Sequence, residues 1–80
     1  MTTDTIERKV RDTMAGIFHV PADEIKDDSS LHSIAAWDSL RHIDLVLALQ
    51  KEFGIRFGDE EIPTMVNFQM VLITVRSHVE

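Results

Sequence analysis

The chain predicts an all-α fold, a small antiparallel helical bundle of three long helices plus one short helix, with a long loop between the first two. Three observations point there. Apolar residues recur three and four positions apart in three separate stretches, the spacing of one helix face. The one alternating segment, Ile55-Arg56-Phe57, has no second strand candidate anywhere to pair with. Apart from the single long loop, the connections are short, which favours antiparallel neighbours. The 80 residues contain no repeat, linker or low-complexity segment, so residues 1–80 are expected to form one domain.

The elements follow in order. Capping side chains at Thr2 to Asp4 precede Ile6, Val10, Met14 and Ile17, with Glu7, Arg8, Lys9, Arg11 and Asp12 on other faces, which predicts a first helix over residues 4 to 18. Pro21 ends that pattern. A polar stretch containing Asp23, Glu24, Asp27, Asp28, Ser29 and Ser30 then forms a long loop with one short turn, pinned only by Ile25, Leu31 and Ile34. Loops of that length in small domains are often functional. The second helix starts at Asp38, a good N-cap, and is closed by Gly54. Ile55 to Phe57 reads as an extended connector that packs Ile55 and Phe57. Residues 58 to 62 are expected to form the short third helix, capped at Asp59 and followed or interrupted by Pro63. Asn67 then caps a last helix whose Phe68, Val71, Leu72, Val75 and Val79 share a face, with Arg76 and Glu80 outward.

Composition excludes several function classes. Fourteen acidic residues against eight basic ones give a formal charge of -6, which disfavours nucleic acid because phosphate backbones repel acidic surfaces. Basic patches on proteins are the better match, although a modest negative charge also serves simple solubility. With no cysteine, disulfides, thiolate–zinc sites and cysteine nucleophiles drop out, and any thiol must be brought by a prosthetic group. No long apolar run or basic-then-apolar start suggests a membrane span or secretion, leaving the cytoplasm as the default location.

The second helix carries the chemistry. Ser39 falls in its first turn, where unpaired backbone N–H groups and the positive end of the helix dipole favour an attached anion, while neighbouring Asp38 opposes it somewhat. At 100° per residue, Leu45, Val46, Leu49 and Phe53 form one cluster and Leu40, Ile43 and Leu47 a second, spanning about 220° where a surface helix needs roughly 100°. Either the helix is central and buried on both sides, or one cluster faces a partner. The second cluster lies on the side of Ser39, in line with Leu40, so a protein reaching for that serine would meet Leu40, Ile43 and Leu47, and this favours the partner surface.

Asp38-Ser39-Leu40, the helix ending in Glu52-Phe53-Gly54-Ile55, and a length near eighty residues resemble a free-standing acyl carrier protein of the phosphopantetheine-binding superfamily. The resemblance covers nearly the whole chain and includes the long loop that delivers the serine to the head of the second helix. It implies that Ser39 holds 4'-phosphopantetheine through a phosphodiester, taken from coenzyme A by a phosphopantetheinyl transferase with magnesium. The thiol of that arm would carry acyl groups as thioesters among partner enzymes of a fatty-acid, polyketide or other specialised pathway. By the same resemblance Asp38 helps present the serine and the metal to the transferase. Leu40, Ile43, Asp44 and Leu47 would be read by the loading enzyme and by a downstream synthase or transferase, and the carrier itself would be a monomer and not an enzyme.

The chain departs from the commonest form of that family. Fatty-acid carriers place a glycine two residues before the motif, whereas here Ala36 and Trp37 precede it, and Arg41, His42, Gln50 and Lys51 dilute a usually acidic helix in which Asp44 and Glu52 remain. The Trp-Asp-Ser-Leu form resembles carriers of specialised pathways. An aminoacyl or peptidyl carrier, including the D-alanyl kind, shares the arm and the fold, differs in the enzyme that loads it, and is the alternative. A different class, an unmodified helical interaction module, would use Ser39 only to start a helix.

Other residues invite sharper chemistry and do not sustain it. His19, His32, His42 and His78 are nowhere three or four residues apart, so no helical metal pair exists, and no metal ligands are expected. A Ser39 nucleophile with His42 as base lacks a Gly-x-Ser-x-Gly elbow and a chain long enough to shield it, with His42 expected to point along the surface; no catalytic residue is assigned. The acids of the loop lack the spacing and central glycine of a calcium loop. Trp37 either lies over the arm or covers the core edge where the loop meets the helix, and Met14, Met65 and Met70 suit gap-filling in a small core.

Overall fold

In the computed structural model, which describes residues 3–30 and 32–79, three helices form: α1 (Thr3–Phe18), α2 (Ser39–Phe53) and α3 (Phe68–Val79). Among the described residues there is no strand, only an isolated bridge between Ser30 and Asn67. The small helical bundle expected from periodicity is the fold. Both α2 and α3 pack on α1. The expected caps at Thr2 and on the Asp4 side chain, the anchoring role of Leu31 and the outward Glu80 lie outside the described residues.

Each helix buries the face its spacing marks. Ile6, Val10 and Met14 of α1 are enclosed, joined by Ala15 and Phe18, while Ile17 is half-buried. From α2 come Leu45, Val46 and Leu49, and from α3 Phe68, Val71, Leu72 and Val75, with Ile25, Trp37, Phe57 and Met65 completing the core. Met70 is half-buried at its edge. Full burial of one such side chain is worth about 1.5–3 kcal/mol, so these faces drive assembly of helices that would be marginal alone.

The ends of the helices are closed by local chemistry. After α1, His19 adopts a left-handed φ of 57° and Val20 N–H reaches back to the Ala15 carbonyl at 3.1 Å, the arrangement for which glycine is the usual choice. Gly54 does the same after α2 with φ 65°, and Ile55 N–H bonds the Gln50 carbonyl at 3.1 Å. Asn67 caps α3 as its sequence position suggests, its Oδ1 accepting from Met70 N–H at 2.8 Å.

The long loop is tied down by more than its apolar residues. A 3-10 turn, Ala22–Glu24, leads to Ile25, which is fully buried, and Ile34 is half-buried. Arg11, placed by periodicity outside the core face, lays its guanidinium over the Phe68 ring at 4.6 Å, donates to the Ile25 carbonyl, and pairs with Glu7 at 2.9 Å and Asp27 at 3.2 Å. Ser29 is buried and accepts from Phe68 N–H at 2.8 Å through its carbonyl, so the loop caps the start of α3.

Two expectations are corrected. The short helix is a 3-10 turn over Ile62–Thr64 with Pro63 inside its first positions, not a helix over 58 to 62 capped at Asp59. Proline suits a first turn because its missing N–H would go unpaired there. Residues 58–61 form a turn instead, held by the Glu61 carboxylate accepting from Gly58 N–H at 2.8 Å. Arg76 does not face outward: it is half-buried, with its Nε enclosed and without a hydrogen-bond partner.

Candidate functional site

Asp38 sits in extended conformation at the head of α2 and its Oδ1 accepts from the Arg41 backbone N–H at 2.8 Å. The cap places Ser39 as the first residue of a 15-residue helix, with its side chain exposed. The last turns of the loop hold this geometry from the other side. Trp37 is only 4% exposed, packs on Phe18 with ring centroids 5.1 Å apart, and anchors the residue before the cap in the core. Of the two roles its position allowed, it fills the core edge, and its ring also reaches the cleft described next.

Beside Ser39 opens a cleft of about 540 Å³ lined by Trp37, Asp38, Ser39, His42, Ile43, Asp59, Ile62, Pro63 and Val66. Its far wall is the Ile62–Thr64 turn, so the serine stands where the head of α2 faces that turn. Sequence reasoning placed Asp38, Ser39 and Ile43 here but missed His42 and the whole opposite wall, because residues 59 to 66 meet α2 only after folding.

His42 overturns the expectation that it points along the surface. Its ring is half-buried and stacked on Trp37 at 20° and 6.2 Å between centroids. The indole Nε1–H donates to Nδ1 at 3.0 Å, and Nε2 lies 2.8 Å from the Ile62 carbonyl oxygen. Both ring nitrogens are therefore committed inside the protein and neither is aimed at Ser39 as a base. Arg41 is likewise engaged: its guanidinium donates to the Ile17 carbonyl at 3.1 Å near the end of α1, where a cation is favoured.

The remaining candidates lie along the outer face of α2. Leu40, Ile43 and Leu47 are 72%, 48% and 57% exposed, and Asp44 is exposed among them. Leu45, Val46 and Leu49 of the same helix are enclosed, so its two apolar clusters have opposite fates. Ile43 belongs to both the outer face and the cleft.

Chemically, the site offers an exposed hydroxyl at a helix start beside a largely apolar groove. The amide end of α2 favours a phosphate joined to that hydroxyl, the Asp38 carboxylate opposes it, and the open side chain of Ser39 leaves room for a long substituent. These residues fit a phosphate-linked flexible arm. Among the described residues no group of His, Asp and Glu is arranged to hold a metal ion, and no helix is long and apolar enough to cross a membrane.

The phosphopantetheine attachment site family matches residues 8–67. A solved structure of the acyl carrier protein from Enterococcus faecalis superposes with a TM-score of 0.76 at 24% identity, covering 98% of this chain and 99% of that one. At that identity the likeness speaks for the fold.

Proposed function

Because the chain belongs to the phosphopantetheine attachment site family, with 4'-phosphopantetheine held covalently on a serine as its cofactor, we propose that Ser39 is the attachment residue and that the protein is an acyl carrier. The observation that carries this is the place of Ser39: exposed, first in α2, capped by Asp38 and opening on the cleft. The arm supplies a thiol that a chain without cysteine lacks, and that thiol holds the acyl group as a thioester.

The residues of the chain do the rest. Asp38 fixes the helix start so that the Ser39 hydroxyl faces outward, and it presents that hydroxyl to a phosphopantetheinyl transferase. Leu40, Ile43, Asp44 and Leu47 form the surface on which the transferase, the loading enzyme and a downstream synthase or transferase dock in turn. An exposed apolar row beside the modified serine supports this reading, since a contiguous apolar patch on a small domain marks an interaction site. Cargo of a fatty-acid, polyketide or other specialised pathway fits an apolar cleft. No side chain is assigned a catalytic role, and the carrier works in the cytoplasm.

Intact-protein mass spectrometry after incubation with coenzyme A, magnesium and a broad-specificity transferase tests the assignment. One phosphopantetheine mapped to Ser39 is expected, together with no addition to a Ser39→Ala variant of unchanged helix content. Modification of the alanine variant, or none on the folded wild type, overturns it and leaves an unmodified interaction module.

A further inference from the structure

The cleft beside Ser39 has two walls from distant parts of the chain, and one side chain joins them. Trp37 comes from the end of the loop, the Ile62–Thr64 turn from the far side of α2, and His42 stands between them with a nitrogen bonded to each. The indole N–H only donates and the Ile62 carbonyl only accepts. Nδ1 must therefore be bare and Nε2 must carry the proton, which is one tautomer of the neutral ring. Imidazolium carries N–H groups at both positions, so a second proton would set Nδ1–H against the indole N–H. We infer that His42 is a proton-sensitive clasp for this cleft: as neutral imidazole it holds Trp37 and the Ile62–Thr64 turn together, and on protonation it releases Trp37.

The surroundings make the clasp specific. The ring is half-buried and stacked on the indole, so the contact is made at the wall of the cleft and not on the open surface. The carboxylates that share the cleft are Asp38 and Asp59; that of Asp38 is engaged in the helix cap. On the turn side, Glu61 is held by Gly58 and His78 and does not serve the clasp. From α1 the neighbour across Trp37 is Phe18, without charge, and the adjacent guanidinium of Arg41 is bonded to the Ile17 carbonyl.

Nuclear magnetic resonance on the full chain tests this, since Trp37 is the only tryptophan and yields a single indole N–H signal. Long-range proton–nitrogen correlation should find His42 at neutral pH with its proton on Nε2. The indole signal should shift, and its exchange with water should quicken, in step with protonation of His42. In His42→Gln, whose amide does not titrate, that pH dependence should vanish, although His19, His32 and His78 remain. The opposite tautomer, or an indole signal indifferent to His42 protonation, overturns the clasp; if the glutamine variant does not fold, the wild-type tautomer and titration decide alone. Neither hydrogen bond needs an arm on Ser39, so a failed modification assay and a failed titration are separate results.

Discussion

Asp38 does two things that a pair of substitutions separates. Its carboxylate accepts the Arg41 N–H, a cap whose loss costs about 1 kcal/mol, and in the proposed function it also presents Ser39. Asn at this position caps as well as Asp but carries no charge. Asp38→Ala should therefore lower the urea midpoint, whereas Asp38→Asn should keep stability and slow arm transfer. Equal transfer rates for Asn and wild type would show that the carboxylate acts only as a cap. Arg11 shows the same economy of side chains on the other side of the bundle. One guanidinium meets Phe68, the Ile25 carbonyl, Glu7 and Asp27, and so joins α1, α3 and the loop.

At the scale of the element, α2 is the informative helix because its two apolar clusters, equally apolar in the sequence, differ sharply in exposure. Leu49 is fully enclosed and Leu47, two positions away, is 57% exposed. Leu49→Ala should cost about 2–5 kcal/mol, the range for large-to-small changes in a packed core. Leu47→Arg should change the thermal midpoint little, because surface substitutions fall within about 0.5 kcal/mol, yet weaken modification or loading. A collapse in the midpoint for Leu47→Arg would mean that this residue is structural and that partners dock elsewhere. The head of α2 was legible in the sequence for a simple reason: Asp38, Ser39 and Arg41 are local, and a cap is a contact within one turn. The short helix near Asp59 was not, since Gly58 to Pro63 contains competing turn signals and the side chain that arbitrates, Glu61, also answers to His78 on α3.

For the whole molecule, that Glu61 contact gives a pH dependence. The Gly58 N–H and, after it, the hydrogen bond and charge of His78 hold the Glu61 carboxyl below its ordinary value of 4.5. A carboxyl lowered in the folded chain stabilises the fold above its unfolded value and loses that contribution as pH falls through the folded one. Stability should thus fall below pH 4.5, and Glu61→Gln should show a shallower acid-side fall in a series of thermal midpoints. Parallel curves for the two proteins would place the acid sensitivity elsewhere.

What the sequence by itself determined is what local geometry dictates: three helical periods, the caps at Asp38 and Asn67, the close at Gly54, and Ser39 at a helix head. Helix periodicity and capping join residues within a few positions, so they survive reading one residue after another. Tertiary structure alone decided that Arg11 and Arg41 are structural rather than free charges, and that His42 faces Trp37 and Ile62 instead of water. Each of those depends on partners brought together by folding, such as Arg41 with Ile17 and His42 with Ile62. A side chain with both a long reach and a polar end has no preferred neighbour until the packing of the helices supplies one.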